Sequence, residues 1–249
     1  MKSAFIAVAM AGALSLAITG TASASALGHP EHHSKPKPAA APQVSGATLG
    51  SALLPAAAFG DGYTSLGTLT SGNRVTPATV TVHVAKLSCG NFELSYGLVR
   101  TGFGNTAGVT GLFRSLGPQA SPSPVNGFQS VLQFQSTTAA ASFYGQVLAK
   151  YQSCRSFTES DPGAASPPAG VSASTVAKTT VGHYQAFRVS QVNAAPDPST
   201  GQTSYNDILV AVAGTNVYQL WKTSDTNDEP SPALMARLIS RVQKLYSHR

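Results

Sequence analysis

The residues best suited to chemistry in this chain are its two cysteines and its six histidines. Cys89 and Cys154 could form a disulfide, or one of them could act as a thiol nucleophile with His183 as the general base. A nucleophilic thiol must stay reduced, and neither cysteine lies in the C-G-S/A-C-W/Y context of papain-like proteases. In an exported protein, an even number of cysteines favours a disulfide. We therefore predict a Cys89–Cys154 bond and no thiol catalysis.

The histidines show no pattern that is typical of a metal site. Three of them lie beside Glu31 in a Pro- and Lys-rich stretch, where a loose divalent-metal site competes with a plain solvated tail: His29, His32 and His33. The other three are isolated and lack the C-x-x-C or H-x-x-x-H spacing of zinc sites: His83, His183 and His248. A short cluster on a tail has no surrounding groups to orient its ligands. We favour the solvated tail and predict no metal site and no cofactor.

No catalytic motif accompanies these residues. The chain contains no G-x-S-x-G, no H-E-x-x-H, and no S-x-x-K with S-D-N and K-T-G partners. A glycosidase-type carboxylate pair could be assembled only by assumption, from Glu93, Glu159, Asp161 or Asp207. We therefore predict that the protein is not an enzyme. An exported hydrolase with an unrecognised site is the alternative.

The charge of the chain limits its partners. Charged residues are only 10% of the sequence, against about 25% in an average globular protein. The formal net charge is +6, but the basic residues are scattered and form no run interleaved with aromatic residues. We predict no nucleic-acid partner. A cell-wall-associated interaction protein that uses its +6 charge on anionic polymers is a further alternative.

The N-terminus has the pattern of an export signal. Met1 and Lys2 are followed by an apolar run from Ala4 to Ile18 and by small-x-small cleavage patterns, and we expect cleavage after Ala26. No cysteine lies at the cleavage site for lipid attachment, and no second apolar segment is long enough to span a membrane. The sequence predicts a secreted, extracellular protein with no membrane span after cleavage. We divide it into a signal peptide (1–26), a disordered Pro/Ala/Lys-rich spacer (27–48) and one folded domain (49–249).

The elements that position these residues are clearest between Gly127 and Arg155. Phe128 to Phe134 is typical of a strand, and Ser136 to Thr138 supplies candidate N-caps for a helix. Apolar residues recur at helical spacing after the cap: Ala140, Phe143, Tyr144, Val147, Leu148 and Tyr151. Cys154 lies where this helix should end.

The second half of the chain predicts further strands and a final helix. Strand patterns occur at 80–84, 109–114, 156–158, 176–181, 184–192, 204–213 and 216–222, with a loop at 161–172 and an undecided segment at 92–103. A helix begins after Pro230 and has an apolar face that includes Leu234, Leu238 and Val242. Its other face is basic, with Arg237, Arg241 and Lys244. We favour packing on the sheet over a membrane surface.

The assembled pattern resembles a known family, the PknH-like extracellular sensor domains of actinobacterial serine/threonine kinases and their secreted relatives. The resemblance rests on Val131-Leu132-Gln133-Phe134, Ser136 to Phe143, Tyr151, Cys154 with Cys89 as its partner, and the opening segment from Leu53 to Tyr63. It covers about residues 49–246. The chain departs from the family because it lacks a second cysteine pair, a kinase domain and a membrane helix.

The resemblance implies an α+β fold, in which a twisted antiparallel β-sheet packs against two long helices and leaves a cleft. It implies a secreted, non-catalytic sensor-type domain that binds an unidentified small molecule or cell-envelope component. We expect a monomer. Aromatic residues are the expected lining of the cleft: Phe128, Tyr144, Tyr205, Tyr218 and Trp221.

Overall fold

The computed structural model describes residues 44–72, 107–115, 127–158, 170–194, 201–224 and 229–247. The structural results below concern these residues. The predicted signal peptide, the strand at 80–84, the undecided segment at 92–103 and Cys89 lie outside them.

The described strands form one antiparallel sheet with the order β1-β2-β3-β8-β7-β6-β5-β4. Their bounds are β1 Tyr63–Gly72, β2 Ala107–Ser115, β3 Gly127–Gln133, β4 Phe157–Thr158, β5 Gly170–Val181, β6 Tyr184–Asn193, β7 Tyr205–Ala213 and β8 Asn216–Ser224. β3, β8 and β7 are central, and nearly all of their side chains are buried on both faces. This sheet, together with the helices below, confirms the predicted α+β class.

The strand predictions within the described residues are confirmed. Two differences are the earlier start of β5 and the presence of β1. β5 begins at Gly170, so the predicted loop at 161–172 ends earlier than expected. β1 was not predicted, because a bulge between Ser65 and Gly67 interrupts its alternation. Gly67 has a φ of +127° there, a conformation that favours glycine.

Two long helices and two short helical segments pack on this sheet. α1 spans Gly46–Ser51, a 3-10 helix spans Ala56–Phe59, α2 spans Thr137–Ser153 and α3 spans Pro232–Ser247. The Ser136 hydroxyl caps α2 by accepting a hydrogen bond from the Ala139 N–H at 3.1 Å, as its position before the apolar repeat predicts. The prediction of two long helices alone was therefore incomplete.

The first described helix, α1, begins three residues before the predicted start of the folded domain at residue 49. Ser45 caps α1 by accepting from the Thr48 N–H at 3.1 Å, and Val44 is 3% exposed. The Val44 N–H donates to Gln133 Oε1 of β3 at 3.2 Å. The folded unit therefore includes the residues from Val44 onward, since a local cap and a sheet contact order them.

The two long helices lie on opposite faces of the sheet. The α2 face is formed by side chains that pack with α2: Phe128, Leu132, Phe187, Val189, Ile208, Val210, Val217 and Trp221. The α3 face is formed by side chains that pack with α3, α1 and the 3-10 helix: Val131, Val181, Ala186, Leu209, Ala211, Tyr218 and Leu220. Alternation along each strand produces both faces. The expectation that one cleft is framed by both long helices was therefore wrong.

No helix in the described part of the chain combines the length and the apolar character that a membrane crossing needs.

Candidate functional site

The five aromatic residues predicted to line a cleft are divided by the sheet. Phe128, Tyr144 and Trp221 pack on the α2 face, whereas Tyr218 lies on the α3 face. Tyr205 is half-buried at the start of β7, and alternation places its side chain on the α3 face with Leu209. The set therefore does not line one cleft, and a ligand contact for any member stays a prediction.

Phe128 and Trp221 form the aromatic centre of the α2 face. They are opposite one another in the β3–β8 register, and their rings stack with centroids 5.1 Å apart at an angle of 26°. Phe128 is 0% exposed and Trp221 is 7% exposed. Trp221 is the only tryptophan of the chain.

A row of polar side chains crosses the sheet on this face, at the register position two residues beyond Trp221 in β8. Ser174, Gln191, Asn206 and Thr223 are aligned directly across β5, β6, β7 and β8, and we call these four residues the polar row. Gln191, Asn206 and Thr223 are 1%, 7% and 8% exposed. A central sheet position usually holds an apolar side chain, so a buried row of amides and hydroxyls needs an explanation.

Part of the polar row is joined by hydrogen bonds. The Thr223 hydroxyl donates to Asn206 Oδ1 at 2.8 Å, and Asn206 Nδ2 donates to Asn193 Oδ1 at 2.7 Å. Asn193 Nδ2 then donates to the Ser204 hydroxyl at 2.8 Å. This chain fixes the orientation of its amide groups, so the row is preorganised.

Other polar atoms around Trp221 have no such partner. Among the described strand residues, four buried side-chain atoms on the α2 face lack a hydrogen bond: Ser174 Oγ, Gln191 Oε1, Gln219 Nε2 and Trp221 Nε1. Gln219 precedes Trp221 by two residues on β8 and therefore points to the same face. Buried polar atoms are almost always satisfied in folded proteins, so each of these exceptions calls for a further partner.

The chemistry of this patch suits recognition and not proton transfer. Its hydrogen-bonding groups are three amides, two hydroxyls and an indole N–H, and none of them titrates near neutral pH. They offer both donors and acceptors beside the stacked rings of Phe128 and Trp221. A neutral ligand with its own donors and acceptors and one flat apolar side would match this arrangement.

The thiol–histidine pair considered above is not assembled. Cys154 is 2% exposed and ends α2, just before β4 pairs with the first residues of β5. His183 is exposed in the turn after the other end of β5 and packs on Tyr184 with ring centroids 3.9 Å apart. A strand of this length separates the two residues by roughly 30 Å, at about 3.3 Å per residue. Cys154 and His183 therefore cannot act together as a nucleophile and its base.

Of the two cysteines in the predicted disulfide, only Cys154 lies among the described residues. No described cysteine is a free thiol. Because Cys89 lies outside the described residues, the Cys89–Cys154 bond stays a prediction.

The carboxylates considered for hydrolysis are likewise not brought together in the described part of the chain. Asp207 is 1% exposed and lies on the α3 face opposite Lys222, and the other three candidates lie outside the described residues. No group of His, Cys, Asp and Glu suited to a metal ion occurs among the described residues.

Sequence reasoning missed the polar row, although part of its signal was present. Only two residues separate the strands predicted at 204–213 and 216–222, and this short connection fixes the β7–β8 register and so pairs Asn206 with Thr223. On its other side, Asn206 pairs with Gln191 of β6. The connection between β6 and β7 is longer, so the sequence does not predict this register.

The fold is similar to one solved structure, described as the crystal structure of the extracellular domain of PknH from Mycobacterium tuberculosis. The two chains share 16% identity with a TM-score of 0.51, and the match covers 81% of this chain and 97% of the other. No protein-family model and no curated protein matches the sequence. At this identity the likeness concerns the fold alone, and this chain has the α+β fold of that extracellular domain.

Proposed function

We propose that this protein is a secreted, non-catalytic sensor-type domain that binds a small neutral ligand on the α2 face, against Trp221 and the polar row. The observation that carries this proposal is that four buried polar atoms on one face of the sheet have no described partner: Ser174 Oγ, Gln191 Oε1, Gln219 Nε2 and Trp221 Nε1. Leaving a buried polar group unpaired costs about 1–3 kcal/mol. Four such groups on one face would cost a large share of a typical folding free energy, so we infer that a ligand pairs with them.

The character of the ligand follows from the groups that would meet it. Amides and hydroxyls recognise neutral donors and acceptors, as in sugars and capped peptides, and the Phe128–Trp221 stack offers an apolar surface for one side of such a molecule. A charged ligand would be desolvated here without a counter-charge, since the polar row contains no ionisable side chain. We therefore propose a neutral, envelope-derived small molecule.

The absence of titratable groups in this patch supports binding over catalysis. General acid–base catalysis needs a group with a pKa near the working pH. The similarity in fold to the extracellular domain of PknH supports the same choice. We propose export through the segment 1–26 on the basis of the sequence alone.

Trp221 provides a direct test, because it is the only tryptophan and it lies in the patch. The full chain is titrated with neutral monosaccharides, N-acetylated amino sugars and capped dipeptides while the tryptophan emission and the melting temperature are recorded. We expect at least one compound to shift both in a saturable way. We expect Gln191→Leu to abolish the response and Gln185→Leu to preserve it, since Gln185 is exposed on the same strand and face.

A response that is equal in both variants would place the ligand elsewhere. A panel that changes neither the emission nor the melting temperature would argue against the proposal.

The outer side of α3 favours a second candidate function, attachment to anionic envelope polymers. Arg237, Arg241 and Lys244 line a shallow groove of about 440 Å³ on this helix, which contains no acidic residue. Sedimentation of the full chain with isolated cell walls tests it. We expect release as salt screens the charges, and sedimentation that does not depend on salt would contradict it.

A further inference from the structure

One edge of the sheet is open along most of β5 in the described part of the chain. On the side of β5 away from β6, the described neighbour is the two-residue strand β4. β4 pairs with Gly170 and Val171 and extends no further along β5. The stretch from Ser174 to Val181, which we call the open edge, therefore has no strand beside it among the described residues.

The tight turn after β5 decides which backbone groups of the open edge point outward. Gly182 and His183 form a two-residue connection, so Val181 and Tyr184 close the β5–β6 hairpin as a hydrogen-bonded pair. In antiparallel pairing, such residues alternate with residues whose N–H and carbonyl point away from the partner strand. The outward-pointing residues are therefore Ser174, Val176, Lys178 and Thr180.

The open edge lacks most of the features that keep an edge strand from pairing, which are short length, proline, bulges and charged side chains. It contains no proline, and the irregularity of β5 lies before it, between Val171 and Ala173. Five of its eight residues are threonine or valine, which favour strands. Lys178 is its single charged residue. The open edge is therefore suited to accept an added strand.

The chain itself already adds a strand at this position of the sheet. β4 lies antiparallel to the start of β5, with Phe157 opposite Val171 and Thr158 opposite Gly170. A strand on the open edge would continue the line of β4. Thr175, Ala177, Lys178 and Thr180 are exposed, so their side chains leave room for it.

The free charges near the open edge are positive. Lys178 lies in its middle, and Arg155 lies two residues before β4, at the end of the open edge that begins with Ser174. Both side chains are exposed, and neither forms an ion pair among the described residues. An incoming strand with acidic side chains would complement these two cations.

The described carboxylates do not compensate them. Asp61 precedes β1 at the opposite edge of the sheet, Asp207 is 1% exposed within β7, and Glu229 forms an ion pair with Arg188. A second copy of this chain would bring the same two cations to the interface. Charge therefore favours a different partner over self-association, since like charges across an interface are unfavourable.

We propose that the open edge binds an extended, acidic segment of a partner protein, which is added to the sheet as a further strand. The outward N–H and carbonyl groups would pair with its backbone, and an acidic side chain would lie opposite Lys178. Only the backbone of Ser174 takes part, whereas its hydroxyl belongs to the polar row. The site goes beyond the proposed neutral-ligand function and does not depend on it.

Fluorescence anisotropy of a dye-labelled, capped heptapeptide with the full chain tests this site. The peptide alternates threonine and valine and carries glutamate in place of the central valine, and the matched control carries lysine there. We expect saturable binding of the glutamate peptide and about tenfold weaker binding of the lysine peptide, because Lys178 and Arg155 attract one and repel the other. Lys178→Gln should weaken the glutamate peptide about threefold, and Lys178→Arg should preserve its binding.

A second pair of variants tests the backbone pairing. Thr180→Pro removes one outward N–H and leaves the pairing with β6 intact, so it should abolish binding, whereas Thr180→Ala should not change it. If Thr180→Pro does not fold, two glutamate peptides replace it, each N-methylated at one of the two sets of alternate residues. The peptide whose methyl groups face β5 should lose binding, and the other should keep it.

Four results would overturn the proposal: equal affinity for the glutamate and lysine peptides, equal binding by the two N-methylated peptides, a Thr180→Pro variant that binds like the wild type, or no saturable binding. A dimer in analytical ultracentrifugation that Thr180→Pro dissociates would assign the open edge to a second copy instead.

Discussion

The two faces of the sheet use the same residue type in opposite ways. On the α3 face, both ends of the Gln129 amide are engaged, since Oε1 accepts from the Leu54 N–H at 2.9 Å and Nε2 donates to the Leu54 carbonyl at 2.6 Å. On the α2 face, Gln191 Oε1 and Gln219 Nε2 have no partner among the described residues. All three glutamines are at most 8% exposed.

This difference distinguishes buried polar groups that stabilise the fold from buried polar groups that we propose bind a ligand. The amides of the α3 face hold the segment around α1 to the sheet, and Arg241 strengthens that attachment by donating to the Ala52 carbonyl at 2.7 Å. The unpartnered amides of the α2 face stabilise nothing that the described structure shows. Depth of burial alone therefore does not distinguish the two roles, whereas the state of the hydrogen bonds does.

The largest expected effect concerns how α2 is held. If Cys154 is linked to Cys89, the closed loop stabilises the fold by about 4 kcal/mol in the chain-entropy model. Cys154→Ser should lower the free energy of unfolding by about that amount, as measured by urea denaturation, and reductant should have no additional effect on the variant. Ser153→Ala is the adjacent control. A wild-type midpoint that reductant leaves unchanged would contradict the link.

The second-largest expected effect concerns Gln129 on the α3 face, whose amide we expect to stabilise the fold. Gln129→Leu removes both hydrogen bonds to Leu54 and leaves a buried N–H and a buried carbonyl unpaired, at about 1–3 kcal/mol each. We expect a loss of about 3 kcal/mol in urea denaturation. The exposed Gln185→Leu should stay within about 0.5 kcal/mol of the wild type. A similar loss of unfolding free energy in both variants would show that the hydrogen bonds to Leu54 do not account for the effect.

A smaller effect of opposite sign is expected on the α2 face. Gln219→Leu removes an amide nitrogen that has no described partner, so the unliganded protein should keep its stability or gain up to about 1 kcal/mol. Binding of the neutral ligand should weaken at the same time. A loss of stability as large as that of Gln129→Leu would show that Gln219 is structural, and the contrast between the faces would fail.

The sequence predicted most reliably those elements whose signals are local. α2 is marked by the Ser136 cap and by the repeat from Ala140 to Tyr151, and the structure places its ends within a residue or two of that pattern. β1 escaped prediction because the bulge puts Leu66 at 44% exposure, so its apolar residues follow no single period.

The candidate site was harder to predict because it depends on pairing between distant strands. One error was avoidable, however. Tyr218 and Trp221 are three residues apart in β8, and an odd separation in a strand places side chains on opposite faces. The five aromatics could not share one cleft for that reason. The polar row needed the β6–β7 register, which no local signal gives.

The smallest expected effect concerns two buried tyrosines, Tyr218 on the α3 face and Tyr144 on the α2 face. Burial raises the pKa of Tyr218, and the nearby phenols of Tyr246 and Tyr184 raise it further, while burial also raises the pKa of Tyr144. A raised pKa in the folded state leaves stability unchanged at neutral pH. Stability is then lost as the pH rises past the unfolded value of about 10, because only the unfolded chain ionises there.

Tyr218→Phe should therefore stay close to the wild type at neutral pH, since Asn216 Oδ1, the polar group near the Tyr218 hydroxyl, accepts its hydrogen bond from Tyr246 instead. At pH 10 it should be about 0.4 kcal/mol more stable relative to the wild type, and the gap should widen by up to about 1.4 kcal/mol per further pH unit. Urea denaturation along an alkaline pH series measures the gap. Tyr144→Phe should gain less, because the shift at Tyr144 has burial as its only cause. A larger gain for Tyr144→Phe than for Tyr218→Phe would mean that the α2 face is the more tightly desolvated of the two, and its unpaired amides would then be harder to reconcile with a ligand site.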